Sequence, residues 1–353
     1  TFTNGGLSGF ISTYAPALTN GNIVFHSGAD NQTVDTLMTN SIGSGVWTSN
    51  HRLQGIAYLA IKIQADPEIF KGGVPLITAT IEGKKIQNVS NIFAGATIPS
   101  TLFSAADANP VDVLYDYLTN KRFGKGLEHD SNGNYLAGLH VDLASFKAAK
   151  IKTWNVFKVN GIIPTSESLY NNISEILESM NGVLAFQAGK YTLRIKHQNE
   201  PTAMVINSSH ILSPVTVSLP EKAVKFNKIT ANYRNPTVGT DYNDDIIVVN
   251  NATYLAEDNG SILETQIVLD LIDDPVMVSL LAQYKINTSR YGIGINFEGA
   301  HVLLKVEAGD IIEMDLPNFG WTTKKFRVMS LELTADDTIS ITATEYESSI
   351  ELV

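Results

Sequence analysis

The sequence predicts a mainly β protein with α+β insertions. Three observations support this class. Apolar residues alternate with polar ones in many short segments after residue 220, Gly, Asn and Asp separate those segments, and few segments have helical periodicity. Many short strands with one helix are typical of a β-barrel or sandwich. A chain of 353 residues is too long for one compact core, so we expect two to four domains.

Composition excludes several kinds of site. The chain contains no cysteine, which rules out disulfides, a thiol nucleophile and cysteine-ligated metal centres. It shows no apolar run of about 18 residues and no signal peptide. The chain begins at Thr1 rather than Met, so we expect a processed or excised piece of a longer chain.

The negative charge is unevenly distributed along the chain. Residues 1–220 contain 15 basic and 15 acidic residues, whereas residues 221–353 contain 10 and 21, which accounts for the net charge of −11. A surface of this sign repels nucleic acid. We therefore expect a solvated acidic face, with no stable nucleic-acid binding and no membrane binding.

The first third of the chain predicts short strands. Residues 21–28 (GNIVFHSG) form one between turn residues. Residues 51–67 predict the first strong strand, with apolar side chains on both faces, so we expect burial on both sides. Pro67 ends that strand, and a further strand is predicted from Leu76 to Ile81.

Residues 109–127 (NPVDVLYDYLTNKRFGKGL) predict a helix followed by a basic, glycine-rich turn. Asn109 is a suitable N-cap, Pro110 suits the first helical position, and Asp112 lies near the positive helix end. Asn120 is expected to end the helix in a left-handed conformation. The expected buried stripe comprises Val111, Val113, Leu114, Tyr117 and Leu118.

Residues 165–182 (TSESLYNNISEILESMNG) predict a second helix, capped by Ser166 and followed by Gly182. Residues 183–195 then predict a hairpin that turns at Ala188-Gly189, which completes a small α+β unit. The expected buried stripe of the helix comprises Leu169, Tyr170, Ile173, Ile176, Leu177 and Met180.

Strands dominate the chain after about residue 213. One helix, residues 273–292, begins with Asp-Pro, and consecutive antiparallel strands follow in residues 309–346. Turns are expected at residues 318–320 and 335–337. The other predicted strands lie in the segments VKFNKITANYRNP (224–236), DDIIVV, SILETQIVLDL and HVLLKV.

No sequence motif supports an enzyme or a cofactor site. The Gly-Lys-Gly of residues 124–126 follows a helix, whereas a phosphate loop precedes one and continues with Ser or Thr. Residues 130–135 (DSNGNY) lack the spacing of a calcium loop. No histidines form H-E-x-x-H, so we expect no catalytic, cofactor or metal site.

Paired carboxylates leave one alternative open. A glycosidase needs only two that converge in space. Glu175 and Glu178 share a helix face, but are interpreted as its solvated side. Asp273 and Asp274 are interpreted as a cap before Pro275.

Four passages in order resemble lambda-type tail-tip attachment proteins, the J family. Residues 47–75 resemble the Trp-Thr-x-x-His-Arg run that enters a strand and ends at Gly-Gly-Val-Pro. Residues 109–127 resemble the Asn-Pro helix that leads to Arg-Phe/Tyr-Gly-x-Gly-Leu. Residues 226–236 and 318–346 resemble the closing barrel. The resemblance extends from about residue 47 to the end of the chain.

The resemblance implies a non-enzymatic virion protein at the tail tip. It implies a homotrimeric hub at the end of the tail tube, with two tail-tube-type β-barrels per subunit. Residues 1–105 would form the first barrel, 106–220 a middle α+β region with two helices and a hairpin, and 221–353 the second barrel. The implied partners are distal tail and tail tube proteins, the tape-measure protein and other tail-tip or fibre proteins. DNA would be transiting cargo, repelled by an acidic lumen.

Eleven residues are expected to serve architecture or interfaces. Trp47 and Trp321 are candidate anchors because they are large apolar groups beside turns. Two other functions stay open: a receptor- or carbohydrate-binding tail module, and a wall hydrolase that uses two carboxylates. The full set of expected architectural residues is Trp47, His51, Arg52, Asn109, Pro110, Arg122, Gly124, Gly126, Phe319, Gly320 and Trp321.

Overall fold

The structure is a computed structural model. It describes residues 23–29, 31–42, 45–62, 83–97, 102–103, 109–219, 225–236 and 243–352. The chain divides into two compact units, Thr1–Ile81 and Glu82–Val353.

Among its described residues the first unit contains a two-stranded antiparallel sheet and one short helix. Strand β1 (Ile23–Ser27) pairs with β2 (Ala57–Ile61), and helix α1 (Thr36–Ile42) lies between them in the chain. Both strands were predicted, whereas α1 was not. Burial of β2 on both faces was a wrong prediction: of its five residues only Ala60 is buried, and the strand belongs to neither hydrophobic core. The strand predicted at 76–81 lies outside the described residues.

The second unit combines five helices with thirteen strands among its described residues. The helices are α2 (Pro110–Thr119), α3 (Leu143–Thr153), α4 (Leu169–Glu178), α5 (Ala252–Glu257) and α6 (Pro275–Thr288). The first strands are β3 (Ile86–Gln87), β4 (Leu102–Phe103), β5 (Gly182–Gln187), β6 (Lys190–Ile195), β7 (Thr202–Asn207) and β8 (Thr216–Ser218). The others are β9 (Lys228–Asn235), β10 (Asn243–Asn250), β11 (Glu264–Leu269), β12 (Gly294–Gly299), β13 (Ile311–Leu316), β14 (Trp321–Leu333) and β15 (Ile339–Glu345).

Helix α2 begins as predicted. The side chain of Asn109 accepts a hydrogen bond from the Val111 amide (3.0 Å), and Pro110 occupies the first turn. The predicted stripe is confirmed, since four of its residues are buried and Val113 is half-buried. The left-handed ending at Asn120 was wrong: its φ of −70° and ψ of 126° are extended.

Helix α4 begins later than predicted. Ser168, not Ser166, is the N-cap, and its hydroxyl accepts a hydrogen bond from the Asn171 amide (3.1 Å). The later start leaves Leu169 and Tyr170 exposed, at 41% and 78%, so their predicted burial was wrong. The left-handed residue after the helix is Asn181 (φ 53°), and the predicted terminator Gly182 instead begins β5.

Three helices were not predicted: α1, α3 and α5. Helix α3 adds a third helix to the region where two were expected, and Asp142 caps it through the Ala144 amide (3.1 Å). Its apolar residues surround the helix instead of forming one stripe, so periodicity does not mark it. The predicted strand HVLLKV was also wrong, because His301–Lys305 form a 3-10 helix.

The predicted turns and the later helix are confirmed. The β5–β6 hairpin turns at Ala188 and Gly189, both with positive φ. Gly320 (φ 72°) leads into β14, and Asp337 (φ 59°) lies between β14 and β15. Asp274 caps α6 by accepting the Val276 amide (2.8 Å), as expected for the Asp-Pro start.

Two sheets contain most of the strands. Strands β10, β9 and β11 form one, in which β9 and β11 are parallel and the alternating residues Ile229, Ala231 and Tyr233 are buried. The other has the order β7-β13-β14-β15-β12-β8. The chain is therefore mainly β with helices, as predicted. Neither sheet closes into a barrel within the described residues, and the two barrel domains stay predictions.

The second unit has two hydrophobic cores. One contains buried residues of α2, α3, α4, the β5–β6 hairpin, α6 and the three-stranded sheet. The other lies against the six-stranded sheet. Strands β7 and β8 precede residue 220 yet pair with β13 and β12, which follow it. The domain boundaries at 105 and 220 stay predictions.

Candidate functional site

The Gly-Lys-Gly turn closes the C-terminal end of α2. The Lys125 amide donates to the Tyr117 carbonyl (3.0 Å) and the Leu127 amide to the Leu118 carbonyl (2.8 Å). The amides of Gly124 and Gly126 both donate to the Asn120 carbonyl, at 3.2 and 3.1 Å. Carbonyls at a helix end lack partners within the helix. The amides that a phosphate loop would offer are therefore occupied by α2 itself.

Glycine is favoured at the two positions of this turn for different physical reasons. A Cβ added to Gly124 would lie 1.8 Å from the Tyr117 carbonyl oxygen, so no side chain fits there. Gly126 has a φ of 71°, which favours glycine, but an added Cβ would make only an ordinary contact with Lys121, at 3.8 Å. The Arg122 amide donates to the side chain of Asn120 (2.9 Å), and the Arg122 side chain is exposed.

A buried carboxylate follows the turn. Glu128 is fully buried with a φ of 63°. Its carboxylate accepts hydrogen bonds from the amides of His140 (2.7 Å), Val141 (2.8 Å) and Gly138. Such bonds stabilise a charged carboxylate in the interior. Glu128 therefore fixes the loop before α3, a role that the sequence did not reveal.

A buried ion pair connects α2 to α3. The Lys150 ammonium lies 2.5 Å from the Asp112 carboxylate, which also accepts the Val89 amide (2.8 Å). Burial raises the pKa of Asp112, against the opposite effects of the Lys150 and Val89 hydrogen bonds. Asn109 adds a second link, since its amide donates to the Thr153 hydroxyl (2.9 Å). Asn109 and Pro110 are thus buried architectural residues.

The three candidates of the first unit form a local cluster. The rings of Trp47 and His51 stack at 4.9 Å. The Thr48 amide donates to Nδ1 of His51 (2.9 Å), and Nε of Arg52 donates to the Ser49 carbonyl (3.0 Å). His51 and Arg52 are exposed. Their polar groups serve the turn that precedes β2.

Phe319, Gly320 and Trp321 form a turn beside the core of the six-stranded sheet. The ring of Trp321 stacks on Phe319 at 5.0 Å and lies 5.2 Å from Phe326, which is buried. Phe319 is 46% exposed. Within the second unit these candidates pack near a different core from residues 109–126. The eight candidates of the second unit lie in two separate places, residues 109–126 and 319–321, and the interface role of all eleven stays a prediction.

Three of the four carboxylates in the alternative pairs, Glu178, Asp273 and Asp274, have structural partners. Glu178 lies 3.2 Å from the Lys285 ammonium. The pKa of Glu175 is raised, first by burial and then by the neighbouring Asp270, Glu178 and Glu167 carboxylates. Asp273 accepts a hydrogen bond from Nδ2 of Asn160 (2.7 Å).

The DSNGNY segment forms a surface turn. The carboxylate of Asp130 accepts the amides of Asn132 (2.9 Å) and Asn134 (2.8 Å). The hydrogen bond from Asn134 is the main cause that lowers the pKa of Asp130. No cluster of three or more His, Asp or Glu side chains suited to a metal ion occurs in the described part of the chain. Its helices include none that is long and apolar enough to cross a membrane.

Among the grooves in the described part of the second unit, two contain ion pairs. One of about 360 Å³ lies beside α2, and the Lys84–Asp116 ion pair (2.6 Å) belongs to its lining. Its apolar lining residues are Ile86, Val113, Tyr117, Phe123, Val159, Ile163 and Pro164. The other groove, of about 490 Å³, lies between α3 and β6. There Arg194 pairs with Glu307 (2.7 Å) and Asp310, and Glu200 pairs with Arg327 (2.7 Å).

Three large apolar side chains are exposed around α3. Ile151 is 78% exposed, Trp154 57% and Phe93 72%. Nζ of Lys147 lies 5.1 Å from the Phe93 ring centroid, and Nζ of Lys150 lies 5.9 Å from that of Trp154. The sequence missed this surface because it missed α3.

The chain matches no protein-family profile. It is 24% identical over 330 residues to the baseplate hub protein pb3 of Escherichia phage T5, an alignment that covers 88% of this chain and 34% of that protein. The chain thus spans about a third of that relative's length. Because the match is to a baseplate hub protein, membership of the J family stays a prediction.

The chain also resembles solved structures. A chain of the virion of a native gene transfer agent particle shares the fold, with a TM-score of 0.58, 13% identity and coverage of 93% of this chain and 72% of that one. The 43 kDa tail protein of prophage MuSo2 from Shewanella oneidensis matches at a TM-score of 0.38, 8% identity and coverage of 54% and 57%. That score is too low to carry an argument. The similarity to the baseplate hub protein supports a structural protein of the phage tail or baseplate class, and the gene transfer agent structure shows the fold.

Proposed function

We propose that this chain forms the trimeric hub at the distal end of a phage tail tube. In this role it docks the tail tube and the distal tail ring. It also gates the passage of the tape-measure protein and of DNA during host entry. The observation that carries the proposal is the similarity of 330 residues to a baseplate hub protein.

The geometry of the Gly-Lys-Gly turn agrees with a structural role. Its amides bind the end of α2 and leave no phosphate cradle. Asn109, Asp112 and Lys150 are likewise used to hold α2 against α3. The residues that most resembled a ligand site in the sequence therefore serve the fold.

The ring follows from the predicted barrels. Two tail-tube-type barrels per subunit in three subunits would give a pseudo-sixfold ring that matches a sixfold tube. The acidic residues after 220 would line its lumen and let DNA pass without binding. Four solvent-accessible carboxylates on strands of the six-stranded sheet suit that surface: Glu298, Glu313, Asp315 and Glu332.

The test is the mass and shape of the purified chain. Light scattering across a concentration series should give three times the chain mass of 38.4 kDa, and electron microscopy should show a ring with a central pore. A chain that stays monomeric at every concentration, with no ring alone or with tail tube proteins, contradicts the trimeric hub.

Each rival function predicts a different observation. A wall hydrolase requires two carboxyl groups about 5–10 Å apart in a cleft, and peptidoglycan or polysaccharide cleavage by the purified chain. The carboxylates Glu200, Glu307 and Asp310 of the larger groove are paired with arginines, which favours a structural role for them. A receptor-binding module would bind its carbohydrate as a monomer.

A further inference from the structure

Polar side chains connect the two hydrophobic cores of the second unit. We call the core of α2, α3, α4, α6 and the three-stranded sheet the first core, and that of the six-stranded sheet the second core. Asn181 follows α4 of the first core, Arg327 belongs to β14 of the second, and Glu351 follows β15. Each of the three is only 6% exposed. The junction between the cores therefore contains buried charge.

One guanidinium binds two carboxylates at this junction. Nη2 of Arg327 lies 2.7 Å from the carboxylate of Glu200 and 3.0 Å from that of Glu351. The second carboxylate oxygen of Glu351 accepts a hydrogen bond from Nδ2 of Asn181 (3.2 Å). Glu351 therefore links β14, on the second core, to the end of α4, on the first.

The residues around Glu351 also lie against both cores. After β15 the guanidinium of Arg327 lies 5.0 Å from the ring centroid of Tyr346. Ser348–Ile350 then form a 3-10 helix that packs against α6, and Leu352 packs against the first core. Residues 346–352 thus return from the six-stranded sheet to the first core.

The same segment binds a chain connection between the cores. Residues 196–201 lead from β6 to β7. Nε2 of Gln198 donates to the Glu351 carbonyl (2.9 Å), and the Asn199 amide donates to the Ser348 hydroxyl (2.7 Å). Residues 346–352 therefore hold this connection in one conformation.

Contacts of this kind can break at lower cost than an apolar core. Burial of ionised groups costs desolvation free energy, which their mutual attraction only roughly offsets. Opening the junction returns the charges to water, whereas opening either core exposes apolar area. Burial, and next the charge of Arg327, lowers the pKa of Lys196, so a further charge at the junction is desolvated as well. Polar contacts between parts of one chain are typical of parts that move relative to each other.

We propose that residues 346–352 form a latch between the two cores. When bound, the latch holds the cores in one arrangement. When released, it lets the six-stranded sheet turn about connections such as 196–201 and 289–293, because a few residues outside regular elements can absorb a hinge rotation. The inference goes beyond the proposed function and applies to a monomer as well as to a trimer. Only the use of this movement for gating rests on the proposed hub.

The test compares two glutamates of the latch. Glu351→Arg places a second guanidinium beside Arg327 and should release the latch. Glu347→Arg is the matched control, because the Glu347 carboxylate accepts the Ser349 amide (3.2 Å) within the latch itself. The two variants make the same change of charge four positions apart, so a difference between them reports the contact with Arg327.

A distance between the two cores measures the release. The chain contains no cysteine, so Ala144→Cys on α3 and Ser330→Cys on β14 give one spin label on each core at exposed positions. Dilution with unlabelled chain restricts pulsed electron paramagnetic resonance to distances within one copy. We expect a narrow distribution in the otherwise wild-type chain and in Glu347→Arg, and at least twice that width in Glu351→Arg. An unchanged width in Glu351→Arg overturns the latch.

Hydrogen exchange separates release of the latch from unfolding. In Glu351→Arg the amides of 196–200 and 346–352 should lose protection, while those of β14 keep it. Loss of protection throughout β14 would show that Glu351 is required for the sheet to fold, and would overturn a releasable latch. Should Glu351→Arg yield no folded protein, Glu351→Gln keeps the size of the side chain and is judged by the same two measurements.

The outcomes separate the latch from the proposed function. A widened distribution in a chain that never assembles supports the latch and contradicts the hub. A trimer with a central pore whose distribution is the same in the wild type and in Glu351→Arg supports the hub and overturns the latch.

Discussion

Helices α2 and α3 pack against each other but present different surfaces to solvent. Helix α2 buries most of its side chains, and its two ends are satisfied by Asn109 and by the Gly-Lys-Gly turn. Helix α3 has a satisfied N-cap and an apolar outer side in water. A helix whose ends are hydrogen-bonded and whose apolar side chains are buried needs no further partner. Exposed apolar area, in contrast, lowers solubility unless a partner covers it. The two helices therefore differ in one respect: the fold buries the apolar residues of α2, whereas it leaves one apolar side of α3 exposed.

Substitution in the buried ion pair between α2 and α3 should lower the free energy of unfolding more than any other change considered below. Lys150→Met leaves the Asp112 carboxylate buried without its cation, and we expect a loss of about 3–5 kcal/mol in the free energy of unfolding. Lys147→Met removes a lysine of the same helix that has no described ion pair, and should cost under about 1 kcal/mol. Denaturant unfolding measures both. Equal effects of the two variants would contradict the assigned role of Lys150.

Substitutions of the two glycines in the turn after α2 should distinguish a steric requirement for glycine from a conformational one. Gly124→Ala places a Cβ against the Tyr117 carbonyl, so we expect a loss of about 3 kcal/mol. Gly126→Ala makes only an ordinary contact with Lys121 and costs its left-handed φ, about 1 kcal/mol. Thermal unfolding of both variants tests the order. A larger loss of stability on Gly126→Ala than on Gly124→Ala would contradict the close approach of the Gly124 backbone to the Tyr117 carbonyl.

Removal of the N-cap of α2 should lower the free energy of unfolding by a smaller amount. Asn109→Ala removes the acceptor for the Val111 amide and the donor to Thr153, and we expect a loss of about 1–2 kcal/mol. Asn109→Asp keeps the cap and loses the bond that Asn109 donates to Thr153. Comparing the two in urea separates the contributions. No loss on Asn109→Ala would show that the cap does not stabilise α2.

Substitutions on the outer side of α3 should barely change the free energy of unfolding. Ile151→Ser changes an exposed residue, so we expect a change within about 0.5 kcal/mol, measured at low protein concentration where the chain is monomeric. A loss of more than about 1 kcal/mol would show that the Ile151 side chain packs against the fold.

The sequence predicted α2 because its signals are local. Asn109 and Pro110 mark the start, and the apolar stripe repeats at helical spacing. The start of α4 was missed by two residues because Ser166 and Ser168 are both suitable caps, and only tertiary packing selects the second. Helix α3 gave no periodic signal because its outer side is also apolar.

Long-range partners could not be predicted from the sequence. Lys150 meets Asn88 and Asp112, and Glu128 meets the amides of residues 138–141, contacts that only the folded chain defines. The glycines at 124 and 126 were correctly separated from a phosphate loop because their position after a helix is visible in the sequence. The close approach at Gly124 was not visible there.

The order of the six-stranded sheet has a consequence for synthesis. Thr202 of β7 pairs with Ile311 of β13, 109 positions later, and Ser218 of β8 pairs with Gly294 of β12. A ribosome adds about 5–20 residues per second, so β7 waits roughly 5–20 s for its neighbour. During that interval its edge is open to strands of other nascent chains. Yield in the host should therefore depend on the translation speed through residues 208–310 and on chaperones that shield the waiting strand.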